Sequence, residues 1–321
     1  MPDQKKQSPA LPGRFGTMHT HWMILLRHDG FELGLVPDAG GSVALFRHEE
    51  TELLRTALSR SPTDMSAFPL FPFSGRIGRG RFSWRGREVQ LRPNFPPEPH
   101  AIHGQSWLAE WDTVAVTPDR ALLRYVHAGD DWPWSYRAEQ QFRLGPGGLT
   151  LDLSLTNLSE EPMPGGLGWH PYFPAAGAVI EADTAAVWET GTDMLPRLPR
   201  APLPSEQLKG GVPVSRLALD TPFSTASRPV ALRWPAQRRI IRLLPDESLQ
   251  FLIVYTPPGS DYFCVEPVSH IPDMVNLDAP ASQTGLTVLA PGETLTGQLR
   301  LELARIATGQ TDASDSRTGT R

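Results

Sequence analysis

The chain has 321 residues, 40% of them hydrophobic and 20% charged, the composition of a soluble globular protein long enough for a sizeable core. Thirty basic against 35 acidic residues leave a net charge of −5, which argues against nucleic acid or an anionic membrane surface as the partner. A single cysteine, Cys264, excludes an intrachain disulfide. The longest obvious apolar run, Phe251 to Tyr255, is far short of the roughly 20 residues a membrane-spanning helix needs.

Residues 1–20 are polar, carry Pro2, Pro9 and Pro12, and lack periodicity, so they read as a disordered segment. Lys5 and Lys6 are followed by no apolar stretch, which points away from a secretory signal and makes a cytoplasmic location the expectation. The body, residues 21–306, reads as one domain. Residues 307–321, rich in Thr, Ser, Asp and Gly, read as a disordered tail.

Within the body, strand-like runs succeed one another from Ala121 to His127, Tyr136 to Leu144 and Leu149 to Thr156. The last alternates cleanly: Leu149, Leu151, Leu153 and Leu155 share one face, and Thr150, Asp152, Ser154 and Thr156 the other. Gly145-Pro146-Gly147-Gly148 marks a hairpin turn before it. Arg239 to Leu244, Leu249 to Tyr255 and Gln298 to Leu303 continue the series. No long amphipathic helical pattern competes, and 33 prolines and 28 glycines punctuate the chain, so the expected class is an all-β sandwich or barrel.

Polar residues in apolar or aromatic company occur at five places. In Phe73-Ser74-Gly75-Arg76-Ile77, Arg76 either caps backbone carbonyls or offers paired donors to substrate oxygens or a catalytic carboxylate. His100 and His103, three residues apart, resemble a metal half-site, but no cysteine or acidic cluster completes it at zinc spacing, so no metal is expected. His170, in Gly168-Trp169-His170-Pro171-Tyr172-Phe173, sits among aromatics. It is either a core histidine satisfied by backbone or a proton shuttle beside surfaces suited to the C–H faces of a sugar. Asp220 precedes Thr221-Pro222, a common turn opening. Glu266 ends the apolar run Tyr262-Phe263-Cys264-Val265, where an ionised carboxylate is costly unless it is hydrogen-bonded, so it is a functional candidate. In that run Cys264 reads as a small buried hydrophobe rather than a reactive thiol.

Taken in order, Arg76-Ile77, His103-Gly104, His170-Pro171-Tyr172-Phe173, Asp220 to Phe223, and Glu266 with Pro272-Asp273-Met274-Val275-Asn276 resemble the aldose 1-epimerase (galactose mutarotase) family. The resemblance spans about Phe15 to Ile306. It implies a β-supersandwich of antiparallel strands and catalysis of anomer interconversion, with Glu266 as base at the anomeric hydroxyl and His170 as acid at the ring oxygen. It also implies that Arg76, His103 and Asp220 bind sugar hydroxyls. Two departures stand out: Gly75 where the family often has Asn, and Pro267-Val268-Ser269-His270 after the glutamate, closer to a bacterial branch whose substrate need not be galactose.

The reaction only moves protons, so no cofactor is expected. Partial burial is expected to raise the pKa of Glu266, and His170 is expected to be protonated at rest. Trp107, Trp132 and Trp134 are candidate stacking platforms or ordinary core aromatics. Arg79, Arg81 and Arg85 lie on a solvated strand face or reach an anionic substituent at C6, which keeps a hexose-6-phosphate epimerase open as an alternative. A non-catalytic carbohydrate binder and a metal enzyme built on His100, His103 and His170 are further alternatives. The expected partner is a small-molecule sugar, and the expected state a monomer or homodimer.

Overall fold

A computed structural model describes residues 23–305, without the side chains of residues 226–228; the terminal segments 1–20 and 307–321 expected to be disordered lie outside the described residues. Alternation builds the sheet. Leu149, Leu151, Leu153 and Leu155 are buried in one core, while Thr150, Asp152 and Ser154 on the opposite face stay partly exposed. Gly145 pairs with Gly148, so Pro146 and Gly147 form the tip of the anticipated hairpin. Every anticipated strand is present, most extended by a residue or more, and among the described residues the one α-helix is the single turn Ala281–Thr284.

The strands form two arms. One runs antiparallel through Arg120–His127, Tyr136–Gly145, Gly148–Asn157, Thr294–Arg305 and Arg239–Pro245 to the end of Asp220–Trp234. The other starts at the beginning of Asp220–Trp234 and runs through Phe251–Tyr255, Tyr262–Val268, Gly168–Pro174 and Ala67–Leu70 to Ser42–His48 and Phe31–Val36. Asp220 therefore opens a long strand rather than a turn, and this strand serves both arms.

Leu151, Leu153 and Leu301 of the first arm share one apolar cluster with Leu33, Trp169, Phe263 and Val265 of the second, so the arms pack face to face as a sandwich. The opposite face of the second arm carries a separate cluster that includes Phe68, Tyr172, Ile253, Cys264 and Val268. Period-two alternation makes this division. Trp169 and Phe173 point into the sandwich, so His170 and Tyr172 point away from it; Phe263 and Val265 point in, so Cys264 and Glu266 point out. Four chemistry-bearing side chains thus share the outer face of two neighbouring strands.

Candidate active site

The registers Gly168↔Val268 and Tyr172↔Cys264 place His170 directly across from Glu266. Pro171 and Pro267 lack the N–H that a ladder needs, and the pairs between those two registers are missing. The backbone opens there while the side chains meet: His170 Nε2 lies 3.2 Å from Glu266 Oε1. Both are almost fully buried, and burial acts on them in opposite directions. It pushes the Glu266 carboxyl well above its ordinary range, with the nearby Asp220 adding to the rise, and pulls the His170 imidazole down to about 3. The expected rise of Glu266 is present. The expected protonated His170 is corrected, because an imidazolium would lose its hydration here. Burial thus favours the neutral imidazole and the protonated carboxyl of the pair.

The His170 ring is held by stacking. Phe68, its cross-strand neighbour, stacks on one side at 4.5 Å between ring centroids, and Tyr172 lies at 4.9 Å with its plane inclined by 24°. The stack continues from Phe68 to Trp107 at 5.1 Å and from Tyr172 to the Arg55 guanidinium at 4.6 Å. His170 Nδ1 meets no hydrogen-bond partner among the described residues, so the ring is oriented by its aromatic neighbours rather than by a second hydrogen bond.

Arg76 stands across the cavity on the short strand Arg76–Ile77. Its Nε donates to Glu98 Oε2 at 2.9 Å, and its Nη1 lies 3.8 Å from Asp220 Oδ2. Burial raises the Asp220 carboxyl, a shift that Arg76 opposes. Three neighbours hold the Arg76 segment. His270 Nε2 accepts from the Ser74 N–H at 3.0 Å, which leaves Nδ1 to donate to the Ile271 carbonyl. Asp273 donates its N–H to the Arg76 carbonyl and accepts the Gly78 N–H at 3.0 Å on Oδ1. Asn276 in turn donates to Asp273 Oδ1 at 2.7 Å. The Pro-Asp-x-x-Asn segment therefore positions the arginine.

Gly75 has φ +67°, the left-handed region that Gly and Asn tolerate best, and a Cβ there would meet Pro272 Cγ at 2.5 Å. Pro272 fills the space a longer side chain would need. His103, itself at φ +61°, is locked to Gly75 by two bonds: its N–H donates to the Gly75 carbonyl, and its Nδ1 accepts the Gly75 N–H at 3.1 Å. The imidazole proton is thereby on Nε2, and burial keeps the ring neutral.

These groups line a cavity of about 360 Å³, within the size range of small-molecule sites. It brings together Glu266, His170, Arg76, His103, Asp220 and Trp107 from the anticipated set. Trp107 is 1% exposed and donates Nε1–H to the Ile102 and Gly104 carbonyls, so it buttresses the His103 loop. Trp132, expected as a stacking platform, is corrected: it is completely buried in the sandwich core, 5.5 Å from Phe73 and 5.3 Å from Trp134, and does not line the cavity. Neither do Arg79, Arg81 and Arg85, which are exposed; Arg81 pairs with Glu88. His100 and His103 are no metal half-site, since His100 Nδ1 accepts the Arg79 N–H and its Nε2 lies 3.0 Å from the Asp193 carbonyl.

Sequence reading missed Glu98, Tyr255 and Tyr262. Alternation from Glu266 through Cys264 would have reached Tyr262, whereas nothing in Pro97-Glu98-Pro99 announces a partner for Arg76. A larger cleft, about 640 Å³ around Trp188, Ser224 and Gln250, has no titratable group among the described side chains of its wall. No helix among the described residues is long and apolar enough to cross a membrane.

The aldose 1-epimerase family profile matches residues 23–302. An uncharacterized protein of Escherichia coli (strain K12), YphB, is 34% identical over 299 residues, covering 87% of this chain and 97% of that protein. A crystal structure of an Escherichia coli K12 protein provisionally named an aldose 1-epimerase superposes with a TM-score of 0.82 at 32% identity, covering 88% of this chain and 99% of the other. A galactose mutarotase-like protein from Clostridium acetobutylicum shares the fold, with a TM-score of 0.80 at 20% identity over 88% of this chain and 95% of that one. The two-armed antiparallel sandwich, the strand pair that carries His170 and Glu266, and the match across nearly all described residues lead to one conclusion: the chain belongs to the aldose 1-epimerase family.

Proposed function

We propose that this protein interconverts the α and β anomers of a neutral aldopyranose by general acid–base ring opening and reclosure. The observation that carries the reading is the His170–Glu266 contact of 3.2 Å on the wall of a cavity lined by hydrogen-bonding groups. Mutarotation needs one base and one acid, and therefore one proton shared by two groups. Burial enforces that count, because it disfavours charging either group alone.

A sugar entering the cavity places its anomeric hydroxyl and ring oxygen where the two side chains now touch. The shared proton moves to His170, whose imidazolium is favoured by the faces of Phe68 and Tyr172, and the carboxylate is freed. Glu266 then takes the proton from the anomeric hydroxyl while His170 gives one to the ring oxygen. The C1–O5 bond breaks and leaves an open-chain aldehyde. Rotation about C1–C2 and attack of the O5 hydroxyl on the other carbonyl face return both protons and restore the pair. Each group contributes about 10²–10⁴-fold. His103 Nε2–H, Arg76 and Asp220 are the groups placed to hold the sugar hydroxyls.

The preference for a neutral sugar rests on charge. Among the described residues Arg76 is the cation on the cavity wall, and it is already engaged by Glu98 and Asp220. An added phosphate would face two carboxylates, so a C6-anionic substrate is disfavoured. Single anomers of neutral and 6-phosphorylated aldoses, freshly dissolved and followed by polarimetry or NMR, test the reading. Acceleration of a neutral hexose well above its phosphate is expected. No acceleration of any neutral aldose would overturn the proposal and leave a binding protein on this fold.

A further inference from the structure

The face that carries the acid–base pair holds a third metal-binding donor. Cys264 precedes Glu266 by two residues on the same strand and so points to the same side. The ligand atoms of His170, Cys264 and Glu266 all lie within 4.8 Å of one another, and all three residues are buried. Resting on the function proposed above, we propose that these residues form an inhibitory site for a borderline-soft divalent cation of the zinc type, which silences the enzyme by occupying both proton-transfer groups.

The donor set and spacing favour this cation. Zinc takes nitrogen, sulfur and oxygen at about 2.0–2.3 Å, so tetrahedral ligands lie roughly 3.3–3.8 Å apart. The His170–Glu266 pair, at 3.2 Å, is already near that spacing, and the thiol needs to close by about 1 Å. The fourth position opens toward the cavity, whose wall includes His170 and Glu266. A single carboxylate is a poor match for magnesium or calcium, which demand oxygen shells, whereas thiolate and imidazole select zinc, cobalt and cadmium.

The protons balance. The His170–Glu266 pair holds one and the thiol, which burial keeps protonated, holds another. Binding of M²⁺ releases both and leaves imidazole, thiolate and carboxylate around the cation, a site with no net charge.

The test uses chelator-treated protein with Co²⁺ and Zn²⁺ as probes. Co²⁺ is expected to produce thiolate-to-cobalt charge-transfer absorption in the wild type and none in Cys264→Ser or Cys264→Ala. Zn²⁺ is expected to inhibit the wild type, while both variants keep uninhibited turnover and lose at least tenfold in sensitivity; Mg²⁺ is expected to do nothing. Absence of the absorption band, or equal zinc sensitivity in wild type and both variants, overturns the site. If a Cys264-dependent band forms on a protein that interconverts no anomers, the metal site stands and the epimerase reading falls.

Discussion

Replacing Glu266 with Gln separates catalysis from stability because the structure pulls the two in opposite directions. Gln has the shape of a protonated Glu, so the 3.2 Å contact with His170 and the cavity wall persist. It cannot gain or lose a proton, so turnover should fall by about 10²–10⁴-fold, or about 3–5 kcal/mol in barrier. KM should change little, since an amide still hydrogen-bonds to a sugar hydroxyl. Stability should move the other way. The folded carboxyl has a pKa raised above 4.5, so its contribution to folding is complete below that value and drains away as pH rises toward the raised one. Gln never incurs that loss, so Glu266→Gln should be at least as stable as wild type at neutral pH. Polarimetric turnover and thermal melts of the two proteins, measured side by side, give the check. Near-wild-type turnover, or a melting temperature several degrees below wild type, would refute the reasoning.

The clamp on His170 should matter through orientation: Phe68→Leu removes one stacked face, worth about 0.5–1.5 kcal/mol, and should lower kcat by about 2–10-fold while Phe68→Tyr restores it. An unchanged kcat in the leucine variant would remove the clamp from the mechanism. Trp132→Phe should cost about 0.5–3 kcal/mol in urea unfolding and leave KM untouched, because the ring fills the sandwich core; a raised KM would return it to the sugar site. The buried His270 titrates at about 4 instead of 6.5, so its contribution is complete above the ordinary value and is lost as pH falls toward 4. Relative to wild type, His270→Gln should gain about 3 kcal/mol between pH 7 and pH 4 in urea unfolding, since carboxyls whose shifts act oppositely cancel in the difference. A constant difference across that range would contradict the burial argument.

Local periodicity carried most of the fold. Leu149 to Leu155 and the prolines and glycines between strands are legible because a strand's inward face and its turns are written over a few consecutive residues. The site was legible in part as residue types: Glu266, His170 and Arg76 stood out against apolar or aromatic company, His103 and Asp220 were singled out by the family resemblance, and all five converge on one cavity. Their supports were not. Nothing near Ser74 indicates that His270, 196 residues away, accepts its N–H, and nothing near Arg76 indicates Glu98.

The sequence alone determined the strand class and the division of side chains between two faces, and the order of its motifs singled out His170 and Glu266 as the candidate pair. Tertiary structure decided which outward face became the cavity, through the registers that set His170 opposite Glu266 and Cys264 beside them. It also decided that Trp132 belongs to the core and that burial pushes the Glu266 carboxyl up and the His170 imidazole down. The physical reason is range: alternation and turn chemistry act between near neighbours, whereas desolvation and ring stacking depend on strands that meet only once the sandwich has closed.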